Sequence, residues 1–164
     1  MKQSDARMLS NQDLVEELRA SIERDGRITF ECFMRIALYH PRHGYYVNSI
    51  ARPGRAGDFI TSPEAHPIFG YAVARQIAQM SDLLGNPEPF TIREYGAGSG
   101  ALALAVLEGI EAESPALLQS VRYEPVELNQ LRLEELRQTL ETQGFAEQLV
   151  EANDRPVIGC VLAN

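Results

Sequence analysis

The run Glu94-Tyr95-Gly96-Ala97-Gly98-Ser99-Gly100-Ala101 sets three glycines at alternate positions behind a carboxylate. Glycines at such spacing allow positive φ and let backbone N–H groups approach a ligand that a Cβ would exclude. Two ligand chemistries fit. Gly96-x-Gly98-x-x-Ala101 satisfies the dinucleotide fingerprint, in which a pyrophosphate rests on a helix N-terminus. Glu94, two residues ahead of the first glycine, weighs against it. A carboxylate there repels a pyrophosphate but can pair with the cationic amino group of S-adenosylmethionine, directly or through water. The second acid is Glu124, 24 residues after Gly100, at the end of the next strand. A carboxylate so placed accepts both hydroxyls of a ribose, which serves either cofactor.

A third group is Gly57-Asp58-Phe59-Ile60-Thr61-Ser62-Pro63-Glu64, which delivers hydroxyls and free N–H groups at a helix start and could hold a carboxylate. Ordinary capping by Ser62 accounts for the same residues. His40 and His43 flank a proline turn and His66 lies in a first helical turn, without metal-ligand spacing, so no metal site is expected. Cys32 and Cys160 sit in separate apolar runs and read as buried free thiols.

For these groups to meet, the chain must alternate strand and helix. The pattern predicts a strand over 90–95, a glycine turn, a helix over 101–113, a strand over 120–124, a helix over 127–143 ended by Gly144, and an apolar strand over 157–163. Such alternation implies right-handed crossovers and a parallel sheet, the start of a doubly wound α/β fold. Before Pro87 and Pro89 the chain reads as mainly helical. Asn11 caps a helix that stops near Gly26, and Thr29 caps a second that Pro41 ends. The stretch 44–47 reads as a short aromatic strand, 52–58 as a loop, and Ser62-Pro63-Glu64 as the start of a helix running to Gly85. Two regions are expected: a helical cap with an aromatic hairpin and the GDFITSPE loop over 1–86, and a nucleotide-binding region over 87–164.

Composition narrows the partners. The chain has 164 residues, 45% of them hydrophobic, and a formal net charge of −8. Residues 1–82 carry ten acids and ten bases, whereas 83–164 carry thirteen acids and five bases. That balance argues against a nucleic-acid surface, which needs clustered Lys and Arg. No window approaches a membrane span, and residues 1–10 lack a signal-like apolar stretch, so a cytoplasmic location is expected.

The segments Phe33-Met34, Ala37-Leu38-Tyr39-His40-Pro41 and Gly44-Tyr45-Tyr46, followed by Gly57-Asp58-Phe59-Ile60-Thr61-Ser62-Pro63-Glu64 and Phe69-Gly70, resemble the MidA-like S-adenosylmethionine-dependent methyltransferases. That family includes mitochondrial complex I assembly factors that methylate a protein arginine. The resemblance spans roughly residues 12–164 and implies the first half of a Rossmann-like class I methyltransferase fold behind a helical cap. It places the methyl donor, S-adenosyl-L-methionine, on Glu94, Gly96, Ala97, Gly98 and Gly100 and on Glu124, with Asp58, Thr61 and Ser62 bordering the pocket. Ala97 and Ser99 stand where relatives often have Pro and Arg, and Val126 where a Ser follows the ribose acid. The family's fourth strand runs into Asn-Glu and then Asp-Ala, of which this sequence holds only Asn164, taken as the first residue of an interrupted catalytic site.

The expected activity is methyl transfer to a protein, with arginine a plausible acceptor, by a longer parent; the 164-residue chain is expected to be an inactive fragment. Two alternatives stand beside it: an NAD(P)-dependent oxidoreductase using the same turn, and a non-catalytic binding module. A strand over 157–163 left at the sheet edge would favour self-association.

Overall fold

The structure is a computed structural model and describes residues 11–47 and 61–164. The chain divides into two compact units, 1–51 and 52–164. In the first, helix α1 spans Gln12–Asp25 and α2 spans Phe30–Tyr39. Each starts on a side-chain cap: Asn11 Oδ1 accepts the Leu14 N–H at 3.2 Å, and Thr29 Oγ1 accepts the Cys32 N–H at 3.1 Å. Gly26 stops α1 at φ +74°, and His40, ahead of Pro41, turns extended and stops α2.

The expected aromatic strand at 44–47 is a turn. The N–H groups of Tyr45 and Tyr46 donate back to the carbonyls of Ala37 and Leu38, which α2 leaves open at its C-terminal end, so the chain curls under the helix. The two histidines tie α1 to this turn. His40 Nδ1 accepts the N–H groups of Arg42 and His43, its Nε2 faces Glu17 at 2.9 Å, and His43 faces Asp13 at 3.5 Å.

In the second unit the helix expected from Ser62 to Gly85 is two helices. Helix α3 spans Ser62–Ala65 and α4 spans Ile68–Leu83. Pro67 disfavours helical geometry in the residue before it, and His66 is extended at φ −161° and ψ 139°. The first cap is Thr61 rather than Ser62. Strands β1 (Phe90–Tyr95), β2 (Val121–Val126) and β3 (Gly159–Ala163) form a parallel sheet in the order β2-β1-β3. Between them lie α5 (Ala101–Glu113), the short α6 (Pro115–Ser120), and α7 (Gln130–Thr142), which Asn129 caps. After α7, Gln148 and Val150 bracket Tyr123 through hydrogen bonds of 2.7 and 3.0 Å, a bridge too short to count as a strand.

Phe90 and Ile92 of β1 and Val121 and Tyr123 of β2 pack under Leu102, Val106 and Ile110 of α5, Ala74 and Ile77 of α4, and Leu136 and Leu140 of α7. Helices α4 and α5 approach closely because small residues face each other. Gly70 abuts Ala105, and a Cβ added to Gly109 would lie 2.7 Å from that of Ala74. This contact lies within one unit and crosses the division expected at 86/87. Among the described residues, β3 is a sheet edge, and no described helix is long and apolar enough to cross a membrane.

Candidate functional site

Strand β1 delivers the glycine turn to the carboxyl end of the sheet. Gly96, Gly98 and Gly100 take φ of +72°, +56° and +82°, a region that L side chains disfavour. Gly96 N–H donates to the Val126 carbonyl at 2.8 Å, which pins the turn to the end of β2. Gly100 is required twice over, since a Cβ there would come within 2.7 Å of Leu136 Cγ on α7. Ala97 is buried against the core.

Two carboxyl groups converge on this turn. Glu94 is 3% exposed, and its Oε2 accepts the hydroxyl of the fully buried Tyr123 at 2.7 Å. Burial pushes the Glu94 carboxyl up to about 7; the Tyr123 bond opposes this, and the nearby charge of Glu127 adds to it. Burial also holds the Tyr123 phenol well above its ordinary value, so it stays a donor. Glu127 lies one residue beyond β2, where its Oε2 accepts the Gly98 N–H and its Oε1 the Asn129 N–H, both at 2.8 Å. A Cβ on Gly98 would lie 3.7 Å from Arg132 Nη1, so a guanidinium also borders the turn.

Glu124 is not brought to the turn. Ile92 pairs with Tyr123 and Arg93 with Glu124, and successive side chains of a strand point to opposite faces. Glu94 and Tyr123 therefore share one face, and Arg93 and Glu124 the other. There Glu124 Oε2 accepts Arg93 Nε at 2.7 Å and lies 2.6 Å from Arg93 Nη2, while Asn153 Nδ2 reaches Oε1 at 3.4 Å. Glu127 escapes the sequence reading because the predicted strand ends at 124 and this acid falls into the predicted helix. One signal points to it: two residues beyond Glu127 stands Asn129, whose side chain caps α7 as a Ser would, whereas two beyond Glu124 stands Val126.

Thr61 donates both its N–H and its hydroxyl to Glu64 Oε2, at 3.1 and 3.2 Å, and Ser62 is the first residue of α3. These are capping contacts. Asp58 lies outside the described residues. Asn164 follows Ala163, the partner of Tyr95, and so stands exposed at the same end of the sheet as the turn.

Residues 72–164, more than half of the chain, match the family model described as "Putative S-adenosyl-L-methionine-dependent methyltransferase". A mitochondrial protein arginine methyltransferase NDUFAF7 homolog of Drosophila melanogaster is 43% identical over 95 residues, 58% of this chain and 22% of the relative. Its namesake in Danio rerio is 31% identical over 130 residues, 76% of this chain and 30% of the relative. A superfamily member from Burkholderia thailandensis, crystallised with S-adenosyl-homocysteine, superposes with a TM-score of 0.80 at 32% identity. That alignment covers 93% of this chain and 40% of the crystallised one. The chain thus spans well under half the length of these relatives. The mitochondrial location in the curated relatives' names overturns the cytoplasmic expectation, which rested on the composition of residues 1–10. The fold, its parallel sheet with flanking helices, and the matched residues agree: this chain belongs to the S-adenosyl-L-methionine-dependent methyltransferase family described by that model.

Proposed function

We propose that the chain forms the cofactor-binding part of a protein methyltransferase directed at arginine, with S-adenosylmethionine held by Glu94, the turn 96–100 and Glu127. The observation that carries this reading is the pair of carboxyl groups at one glycine turn. A pyrophosphate would need the Gly98 N–H that the Glu127 carboxylate already accepts, and it would meet Glu94 beside it. A ribose and an ammonium group suit the same acids. Each Glu127 oxygen spends one lone pair on a backbone N–H and keeps another for a ribose hydroxyl. Glu127 therefore takes the role first read onto Glu124.

The bound cofactor supplies a methyl group on a sulfonium, open to in-line displacement. The chain's residues would orient it: Glu94 would face the ammonium and Glu127 the ribose, with the turn fixing the backbone between the two acids. A guanidinium acceptor stays cationic up to about pH 12, so its nucleophilic nitrogen needs further carboxylates to orient it. The relatives named as protein arginine methyltransferases support that choice of acceptor. Self-association through the outer side of β3 accords with its position at the sheet edge.

The test is a thermal-shift and calorimetric titration. S-adenosylmethionine and S-adenosylhomocysteine should raise Tm, and NAD should not; a shift with NAD alone would overturn the reading. Glu127→Gln should weaken binding about tenfold or more, whereas folded Glu124→Gln should bind within a few-fold of wild type. The reverse ranking would return the ribose to Glu124.

A further inference from the structure

Glu94 is nearly inaccessible, yet its hydrogen-bond partner on β2 is a neutral phenol. Tyr123 of β2 keeps its proton and donates to Glu94, which favours the carboxylate, whereas the charge of Glu127, from the segment after β2, opposes it. Cys160 of β3, whose thiol burial pushes up to about 11, is neutral. Arg132 of α7 borders the turn at Gly98, its Nη1 lying 3.7 Å from where a Gly98 Cβ would stand. The side chains of α4 and α5 over this face of the sheet are apolar: Ala74, Ile77, Leu102 and Val106 among them.

We propose that Tyr123 is a positioning residue that holds the Glu94 carboxyl at the turn, and that cofactor entry is coupled to release of one proton from that carboxyl. The inference rests on the function proposed above and adds its regulation by pH. Without a ligand, Glu94 lies 3% exposed among apolar side chains with a phenol as its hydrogen-bond partner, and this burial, with Glu127 nearby, favours the carboxylic acid and pushes the carboxyl up to about 7. An incoming ammonium favours the carboxylate. The proton on Glu94 passes to solvent, and Tyr123 keeps its own proton and donates it as a hydrogen bond to the carboxylate left behind. The covalent bonds of the cofactor are untouched. An isolated buried carboxylate would be costly, and the 2.7 Å phenol bond makes the charged state reachable near neutrality.

The experiment is a calorimetric titration of the full 164-residue chain with S-adenosylhomocysteine from pH 5.5 to 9, with adenosine as a probe that lacks the ammonium group. Affinity for S-adenosylhomocysteine should rise about tenfold per pH unit below 7 and level off above 8, with about one proton released at pH 6. Adenosine should bind without that slope. Tyr123→Phe, which removes only the hydroxyl, should shift the midpoint upward and keep the plateau at pH 9 within a few-fold. Glu94→Gln should give a flat profile at low affinity.

A flat wild-type profile overturns proton coupling while leaving cofactor binding intact, and a Tyr123→Phe profile that overlays wild type overturns the positioning role. Carboxyl carbon NMR of the ligand-free chain gives a separate reading. A Glu94 midpoint near 7, higher in Tyr123→Phe, supports the proposal, and a midpoint below 5 overturns it even where no ligand binds. Failure to bind S-adenosylhomocysteine at every pH, by contrast, overturns the function itself.

Discussion

The two faces of one small sheet treat a buried carboxyl group in opposite ways. On the outer face, Glu124 is matched to a guanidinium through Arg93 Nε and Nη2, while Arg93 also donates to the Arg155 carbonyl and Asn153 covers the remaining oxygen. On the face under α4 and α5, Glu94 receives a single neutral phenol. Glu124 is thus spent on the fold: it fastens the segment before β3 to the strands. Glu94 keeps an unmatched affinity for positive charge, which a ligand can use. Burial alone does not distinguish the two acids; the presence of a bonded cation at Glu124 and of a neutral phenol at Glu94 does.

The largest expected effect comes from breaking the matched side. Arg93→Met leaves Glu124 buried without its cation and should lower Tm by roughly 10 °C or more, with Arg93→Met/Glu124→Leu recovering much of the loss. If the single variant loses no more than an exposed ion pair would, the two faces do not differ as argued.

The unmatched side should respond with the opposite sign. The Glu94 carboxyl rises from 4.5 to about 7 on folding, so its contribution to stability is fully present below about pH 4.5 and is lost as pH climbs to 7. Glu94→Gln removes that loss and should be about 3 kcal/mol more stable than wild type at pH 8 and nearly equal at pH 4, in urea denaturation at both pH values. A variant less stable at pH 8 would show that the carboxylate is already compensated.

The smallest of these effects sharpens the geometry between the faces. Gly100→Ala combines an unfavourable φ of +82° with a Cβ 2.7 Å from Leu136 Cγ. It should cost roughly 2 kcal/mol and loosen cofactor binding, as read by denaturation and calorimetry.

Much of this arrangement was legible from residue order. The strand Phe90–Tyr95 and the helix Ala101–Glu113 match their expected bounds, because an apolar run ends in a glycine turn that neither element can cross. Asn11 and Thr29 cap as their types require. What was not legible depended on partners distant in sequence. Tyr45 and Tyr46 have strand-forming side chains, but their N–H groups meet the open carbonyls of α2, and the turn prevails. Pro67 splits the helix after Ala65, a break that its apolar periodicity conceals. Glu124 and Glu127 are both acids near the end of β2; the pleat, fixed by pairing with β1, turns Glu124 to the other face, and Glu127, one residue beyond the strand, meets the turn at the Gly98 N–H.

The pairing of the strands also orders their assembly. Phe90 meets Val121 across one intervening crossover, whereas Thr91 meets Gly159 only after α7 and the bridge at Tyr123 have been laid down. Closing the longer loop carries the larger entropic cost, which favours pairing of β1 with β2 before β3; φ-values for substitutions in β3 lower than those in β1 and β2 are the expected outcome. Glu94 lies on β1, the three glycines follow within the segment that joins β1 to β2, and Glu127 stands one residue beyond β2.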